Sequence, residues 1–239
     1  TSAINKSILK PYDYQQKIFD AAKDRNSIIY VETGKGKTFI SIMLMAHLLG
    51  IDINKEINTQ INIDKNKKII FFVCDTALVD QQKKAIKDIL GIEVGVIQGK
   101  KNKKAKNDYE TFRKMWDSAH IFVAIPSIIY KLLSLGYFTI FEVSMLIFDE
   151  CHHTDADHPY NKIMNEFYFF HKRELGEQFK GLFYTRIYGL TASPFKKAIK
   201  KNIEATAYKA METLCENLDS VIVIDPEMKN ANEKEMKKN

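Results

Sequence analysis

Apolar residues in this chain fall in short bursts, separated by stretches where they recur every three or four positions. The bursts read as strands at Ile28–Val31, Lys68–Cys74, Val94–Ile97, Ile121–Ile125, Met145–Asp149, Ile187–Leu190 and Val221–Ile224. The periodic stretches read as helices at Tyr14–Lys23, Lys37–Leu49, Ala77–Leu90, Asp108–Asp117, Ser127–Leu133, Tyr160–His171 and Ala205–Leu214. Runs such as Met145-Leu146-Ile147-Phe148 are apolar without alternation, as a strand covered on both faces requires. Strands separated by helices predict an α/β fold: a mostly parallel sheet with helices on both faces and right-handed crossovers.

Some stretches break the pattern. Ile51 to Lys67 is rich in Asn, Ile and Lys and reads as a long loop. Lys100-Lys101-Asn102-Lys103-Lys104-Ala105-Lys106 reads as a solvated loop, with a phosphate-backbone contact as the alternative. Phe167-Tyr168-Phe169-Phe170, followed by charged residues and then Phe179, Phe183 and Tyr184, reads as a helical hairpin packed on the domain, with a partner-binding surface as the alternative. The expected layout is one domain over residues 1–225, with 51–67 and 165–185 as insertions. Residues 226–239 are expected to form a polar tail or linker.

Composition adds little. The 239 residues suffice for a full core, and 45% hydrophobic with 28% charged residues is ordinary for a globular chain. A net charge of +6 favours a polyanionic partner, although heavy use of Lys, Asn and Ile also reflects an AT-rich genome. Cys74, Cys151 and Cys215 form no C-x-x-C, and two of them end predicted core strands. They read as reduced, buried thiols, which implies a cytoplasmic or nuclear setting. No apolar run is long enough to span a membrane, and no signal-peptide pattern opens the chain. A start at Thr1 rather than Met suggests a piece of a longer protein.

The candidate chemistry begins at Val31-Glu32-Thr33-Gly34-Lys35-Gly36-Lys37-Thr38, between a predicted strand and a predicted helix. Glycines let the backbone turn its N–H groups toward a phosphate, and the helix N-terminus adds a positive dipole end. Lys37 can reach β- and γ-phosphates, and the Thr38 hydroxyl can ligate Mg²⁺. Val31 stands where the strict phosphate-loop pattern has its first Gly. Downstream, an apolar strand ends in Asp149-Glu150-Cys151-His152, at the sheet edge where open α/β sheets bind ligands. There Asp149 suits Mg²⁺, and Glu150 suits orienting and deprotonating a water. Gln15 carries an amide able to make a two-point contact with an adenine edge, with an ordinary Gln on a surface helix as the alternative. Thr191 and Ser193 follow the predicted strand Ile187–Leu190 and could bond the acidic turn; an ordinary loop is the alternative. Thr76-Ala77 and Pro126-Ser127 open helices after strands, where backbone phosphates commonly bind. His152, His153 and His158 with Asp155 and Asp157 mimic a metal cluster, but His158-Pro159-Tyr160 fits better as a structural element before a helix.

In this order the motifs resemble those of a superfamily 2 helicase. Gln15 resembles the Q motif, Thr33 to Thr38 motif I, Thr76 to Leu78 motif Ia, Pro126-Ser127 motif Ib, Asp149 to His152 motif II and Thr191 to Ser193 motif III. The Asp-Glu-Cys-His form of motif II resembles the duplex-RNA-activated branch, which contains Dicer and the RIG-I-like sensors. Tyr14-Gln15 with Asp20-Ala21-Ala22 and Asn26, and Asp157-His158-Pro159-Tyr160 after motif II, are most similar to Dicer. Tyr12 departs from the family's usual Arg, and Lys35 from its usual small residue.

The resemblance implies the first RecA-like lobe of an ATP- and Mg²⁺-dependent, duplex-RNA-stimulated ATPase within a Dicer-like endoribonuclease that makes small RNAs. Gln15, Thr33, Gly34, Lys35, Gly36, Lys37 and Thr38 would hold ATP, and Thr38 and Asp149 would hold Mg²⁺. Lys37, Asp149 and Glu150 would act in hydrolysis. His152, Thr191 and Ser193 would couple nucleotide state to movement, and Thr76, Ala77, Pro126 and Ser127 would touch RNA. Implied partners are double-stranded RNA, a second RecA-like domain, and a dsRNA-binding protein or an RNA-dependent RNA polymerase. The alternatives are a RIG-I-like sensing ATPase without a nuclease and a helicase-shaped docking scaffold.

Overall fold

The computed structural model describes residues 10–53, 63–64, 66–99, 109–154, 157–175, 185–192 and 203–224. All seven predicted strands are present: β1 (Ser27–Tyr30), β2 (Ile69–Phe72), β3 (Val94–Ile97), β4 (Ile121–Ala124), β5 (Met145–Phe148), β6 (Arg186–Thr191) and β7 (Val221–Ile224). Every pairing is parallel, and the strand order is β3-β4-β2-β5-β6-β1-β7. The helices are α1 (Asp13–Ala22), α2 (Lys37–Leu49), α3 (Thr76–Leu90), α4 (Tyr109–Asp117), α5 (Pro126–Ser134), α6 (Pro159–Ile163), α7 (Phe170–Leu175) and α8 (Ile203–Asn217).

Neighbouring strand residues point to opposite faces, and each face builds its own core. Ile29, Ile69, Phe71, Ile121, Val123, Met145, Ile147, Tyr188 and Leu190 pack with residues of α1, α2 and α3. Ile28, Ile70, Phe72, Phe122, Leu146, Phe148 and Ile187 pack with α4, α5, α6 and α8. Covered on both faces, the central strands need apolar residues at every position. This is the expected RecA-like α/β architecture, with helices on both sides of the sheet.

Two details depart from the periodicity. Lys68 precedes β2 and is only 5% exposed. Its Nζ donates to the carbonyls of Trp116 and Ala119, both at 2.7 Å, and so closes the end of α4. Burial pushes its pKa down. The aromatic stretch 167–170 continues α6, as the predicted helix Tyr160–His171 requires, but not with regular α-helical turns. Met164–Phe169 is a π-helical segment between α6 and α7. The second arm of the expected hairpin, with Phe179, Phe183 and Tyr184, lies outside the described residues, as do Lys100–Lys106 and residues 226–239.

The cysteines correct the sequence reading. All three are free thiols, but only Cys151 is buried; Cys215 is half-buried and Cys74 is exposed. β2 ends at Phe72, two residues before Cys74, so that cysteine sits on the turn and not in the strand. Among the described residues, no helix is long and apolar enough to cross a membrane.

Candidate phosphate-binding site

The turns after β1, β2, β4, β5 and β6 all open at the C-terminal edge of the sheet. β6 lies between β5 and β1, so the turns after β1 and β5 flank its end. The loop after β1 leaves the sheet at Val31, whose N–H donates to the Thr191 carbonyl at 3.1 Å. Gly34 and Gly36 take φ of 81° and 77°, a conformation that side chains oppose. A Cβ on Gly36 would also come 2.4 Å from Gln15 Nε2. α2 then starts at Lys37.

The helix before β1 holds this loop from behind. The Tyr14 hydroxyl donates to the Lys35 carbonyl at 2.8 Å, and Gln15 Nε2 donates to the same oxygen at 3.5 Å. Gln15 Oε1 accepts the Tyr12 N–H at 3.0 Å, which caps α1. Gln15 is 4% exposed. The Lys35 side chain points outward and pairs with Glu32 at 3.2 Å. Thr33 is exposed and Thr38 half-buried.

Lys37 Nζ lies 3.3 Å from Glu150 Oε1, bringing together groups 113 residues apart. Beside them Asp149 is pushed up to about 6, first by burial and then by the Glu150 charge; the Glu150 N–H and Lys37 oppose the shift. Glu150 sits at φ 47°, an uncommon backbone region for a residue with a side chain. Its N–H donates to Asp149 Oδ1 at 3.1 Å, and its carbonyl accepts the His153 N–H at 3.1 Å. A 3₁₀ turn over Cys151–His153 follows.

His152 Nδ1 is 3.0 Å from Thr191 Oγ1 and 3.3 Å from Glu150 Oε2, so one ring nitrogen touches both the acidic turn and the end of β6. Thr191 is fully buried, and Ser193 lies outside the described residues. β2 and β4 are neighbours, which places the turns before α3 and α5 side by side. Thr76, Ala77 and Ser127 are exposed there, whereas Pro126 is buried in the first turn of α5. Asp75 Oδ1 caps α3 by accepting the Ala77 N–H at 2.8 Å.

Sequence reasoning passed over two tyrosines. Tyr14 braces the loop after β1, as described above. Tyr160, read only as a structural element, donates its hydroxyl to the Asp149 carbonyl at 2.9 Å. Its place two residues after His158 in the stretch that follows motif II was the available signal.

Residues 8–196 match the family model described as "Type III restriction enzyme, res subunit". The chain is 32% identical over 185 residues to Dicer-like protein 1 of Pyricularia oryzae, covering 77% of this chain and 11% of that protein. It is 34% identical over 191 residues to Dicer-like protein 1 of Cryphonectria parasitica, covering 79% and 12%. It is 31% identical over 182 residues to Protein Dicer of Schizosaccharomyces pombe, covering 76% and 13%. The chain therefore spans little more than a tenth of the length of these curated relatives. Among solved structures, the Hef helicase domain of Pyrococcus furiosus superposes with a TM-score of 0.64 at 23% identity, covering 90% of this chain and 38% of that one.

Proposed function

The chain belongs to the restriction-enzyme res-subunit family as a Dicer-type superfamily 2 helicase lobe, and we propose that it is the ATP-binding half of a duplex-RNA motor. The motor would sit inside a Dicer-like endoribonuclease. The observation that carries this reading is the 3.3 Å approach of Lys37 to Glu150 across the end of β6. A cation that can hold phosphates and an acid that can handle water meet at the ligand-binding edge of the sheet.

In this reading the triphosphate lies along the loop of residues 31–36, against its N–H groups and the N-terminus of α2. Lys37 leaves Glu150 for the β- and γ-phosphates. Glu150, released by Lys37 and still beside His152, orients the attacking water and takes its proton. Thr38 and Asp149 offer the hard oxygen donors that Mg²⁺ prefers. Asp149 fits that role because it is buried beside a second acid, where a dication relieves the repulsion. When bound, Mg²⁺ would neutralise charge on the phosphates. Gln15 would contact the adenine edge through its amide, which already joins the Tyr12 N–H and the Lys35 carbonyl. His152 carries the state of the acidic turn to Thr191.

Thr76, Ala77 and Ser127 would grip an RNA backbone, reading A-form shape in place of sequence. Hydrolysis would release that grip against a second RecA-like domain, which supplies the arginine finger. A dsRNA-binding protein or an RNA-dependent RNA polymerase is a further candidate partner.

The test uses the parent protein with long duplex RNA, with and without ATP. Uniform short duplexes with ATP-dependent yield are expected. Lys37→Ala should abolish nucleotide use, and Glu150→Gln should bind ATP yet lose about 10²–10⁴ in turnover. Normal RNA-stimulated hydrolysis in either variant would overturn the proposal. Stimulated hydrolysis by the unaltered protein with the RNA left whole would shift it to a sensing ATPase.

A further inference from the structure

Beyond His152, which touches the Glu150 carboxylate, Tyr160 reaches back to the main chain of the acidic turn. It is fully buried, its ring lying 5.6 Å from Phe72 and 4.9 Å from Phe148 between the ends of β2 and β5. Its hydroxyl donates to the Asp149 carbonyl at 2.9 Å and accepts the Cys74 thiol at 3.4 Å. That carbonyl belongs to the peptide linking Asp149 to Glu150. The N–H of the same peptide donates to Asp149 Oδ1. One peptide plane is thus held at both ends, and its orientation sets the φ of Glu150, the residue at 47°. A peptide held on one side only could relax toward common backbone angles and carry the Glu150 carboxylate with it.

Cys74 adds the other end of the link. It lies on the turn after β2, immediately before Asp75, the residue that caps α3. This turn presents Thr76 and Ala77. A shift of the α3 N-terminus therefore reaches the Asp149–Glu150 peptide through two hydrogen bonds and one rigid ring.

We propose that Tyr160 is a positioning residue that transmits RNA contact at the turn after β2 to the acidic turn, setting how strongly RNA accelerates ATP turnover. The inference rests on the functional reading above.

The experiment measures kcat and KM for ATP in the parent protein, with and without duplex RNA, for Tyr160→Phe, Cys74→Ala and Cys74→Ser. Tyr160→Phe keeps the ring and should lower RNA-stimulated kcat about fivefold at unchanged KM. Cys74→Ala should lower the ratio of stimulated to basal kcat, and Cys74→Ser, which keeps a donor, should restore it. A merely structural role would not separate Ser from Ala at an exposed position. A wild-type stimulation ratio in Tyr160→Phe, or equal ratios in the two Cys74 variants, would overturn the inference. Absence of RNA stimulation in the unaltered protein would instead overturn the functional reading itself.

Discussion

Asp149 is an acid held where ionisation is unfavourable, and its pH behaviour follows. Its carboxyl titrates near 6 in the fold against an ordinary 3.8. Between those values the folded chain keeps a proton that the unfolded chain has lost, so stability from this group is full below about 3.8 and is lost as pH rises to about 6. The loss is on the order of 3 kcal/mol. In chelator, the melting temperature of Asp149→Asn should gain on wild type across that window and show no further change above it. Parallel melting curves for the two proteins would refute this. The meeting of Lys37 with Asp149 and Glu150 was legible in the sequence, because a Gly-Lys-Thr turn and a pair of acids each follow an apolar strand of one parallel sheet. Tyr160 was not, because its role depends on where a hydroxyl lands relative to a main-chain carbonyl, and no residue pattern encodes that. The burial of Cys74 was misjudged for a related reason: an apolar run does not mark where its strand opens to solvent.

At the level of elements, the strands were the most legible part, since burial on both faces leaves continuous apolar runs with little ambiguity. The π-helical segment was invisible, because one widened turn barely disturbs helical spacing. Lys68 was read as part of a strand, and nothing in its neighbours announced that its ammonium would close α4. Close packing between elements was equally hidden. A Cβ on Gly189 in β6 would meet Cys151 Sγ at 2.7 Å and Leu218 Cδ1 at 3.0 Å. Gly189→Ala should therefore push the 3₁₀ turn carrying His152 away from β6, lowering stability by about 1–3 kcal/mol. Thermal melting reads the loss. Adding Cys151→Ala should recover part of it by removing the sulfur, and an unchanged melting point in Gly189→Ala would contradict the packing described.

At the level of the whole molecule, a single sheet separates two cores and collects its turns along one edge. That edge carries half of a nucleotide site in the proposed reading. The 239-residue chain by itself should bind nucleotide weakly and turn it over about 10³–10⁵ more slowly than the parent with RNA, the range an arginine finger contributes. Steady-state ATP hydrolysis by both proteins tests this, and equal rates would show that the lobe needs no second half. The two cores also differ in their optics. Trp116 is the only tryptophan, and it is buried in a stack with Phe122 and Phe138 at 4.8 and 4.5 Å. It packs against β4, towards the opposite end of the sheet from β1. Its emission is therefore a built-in gauge of unfolding that is blind to local events around Lys37, and a spectral change on adding nucleotide would report a rearrangement carried across the whole sheet.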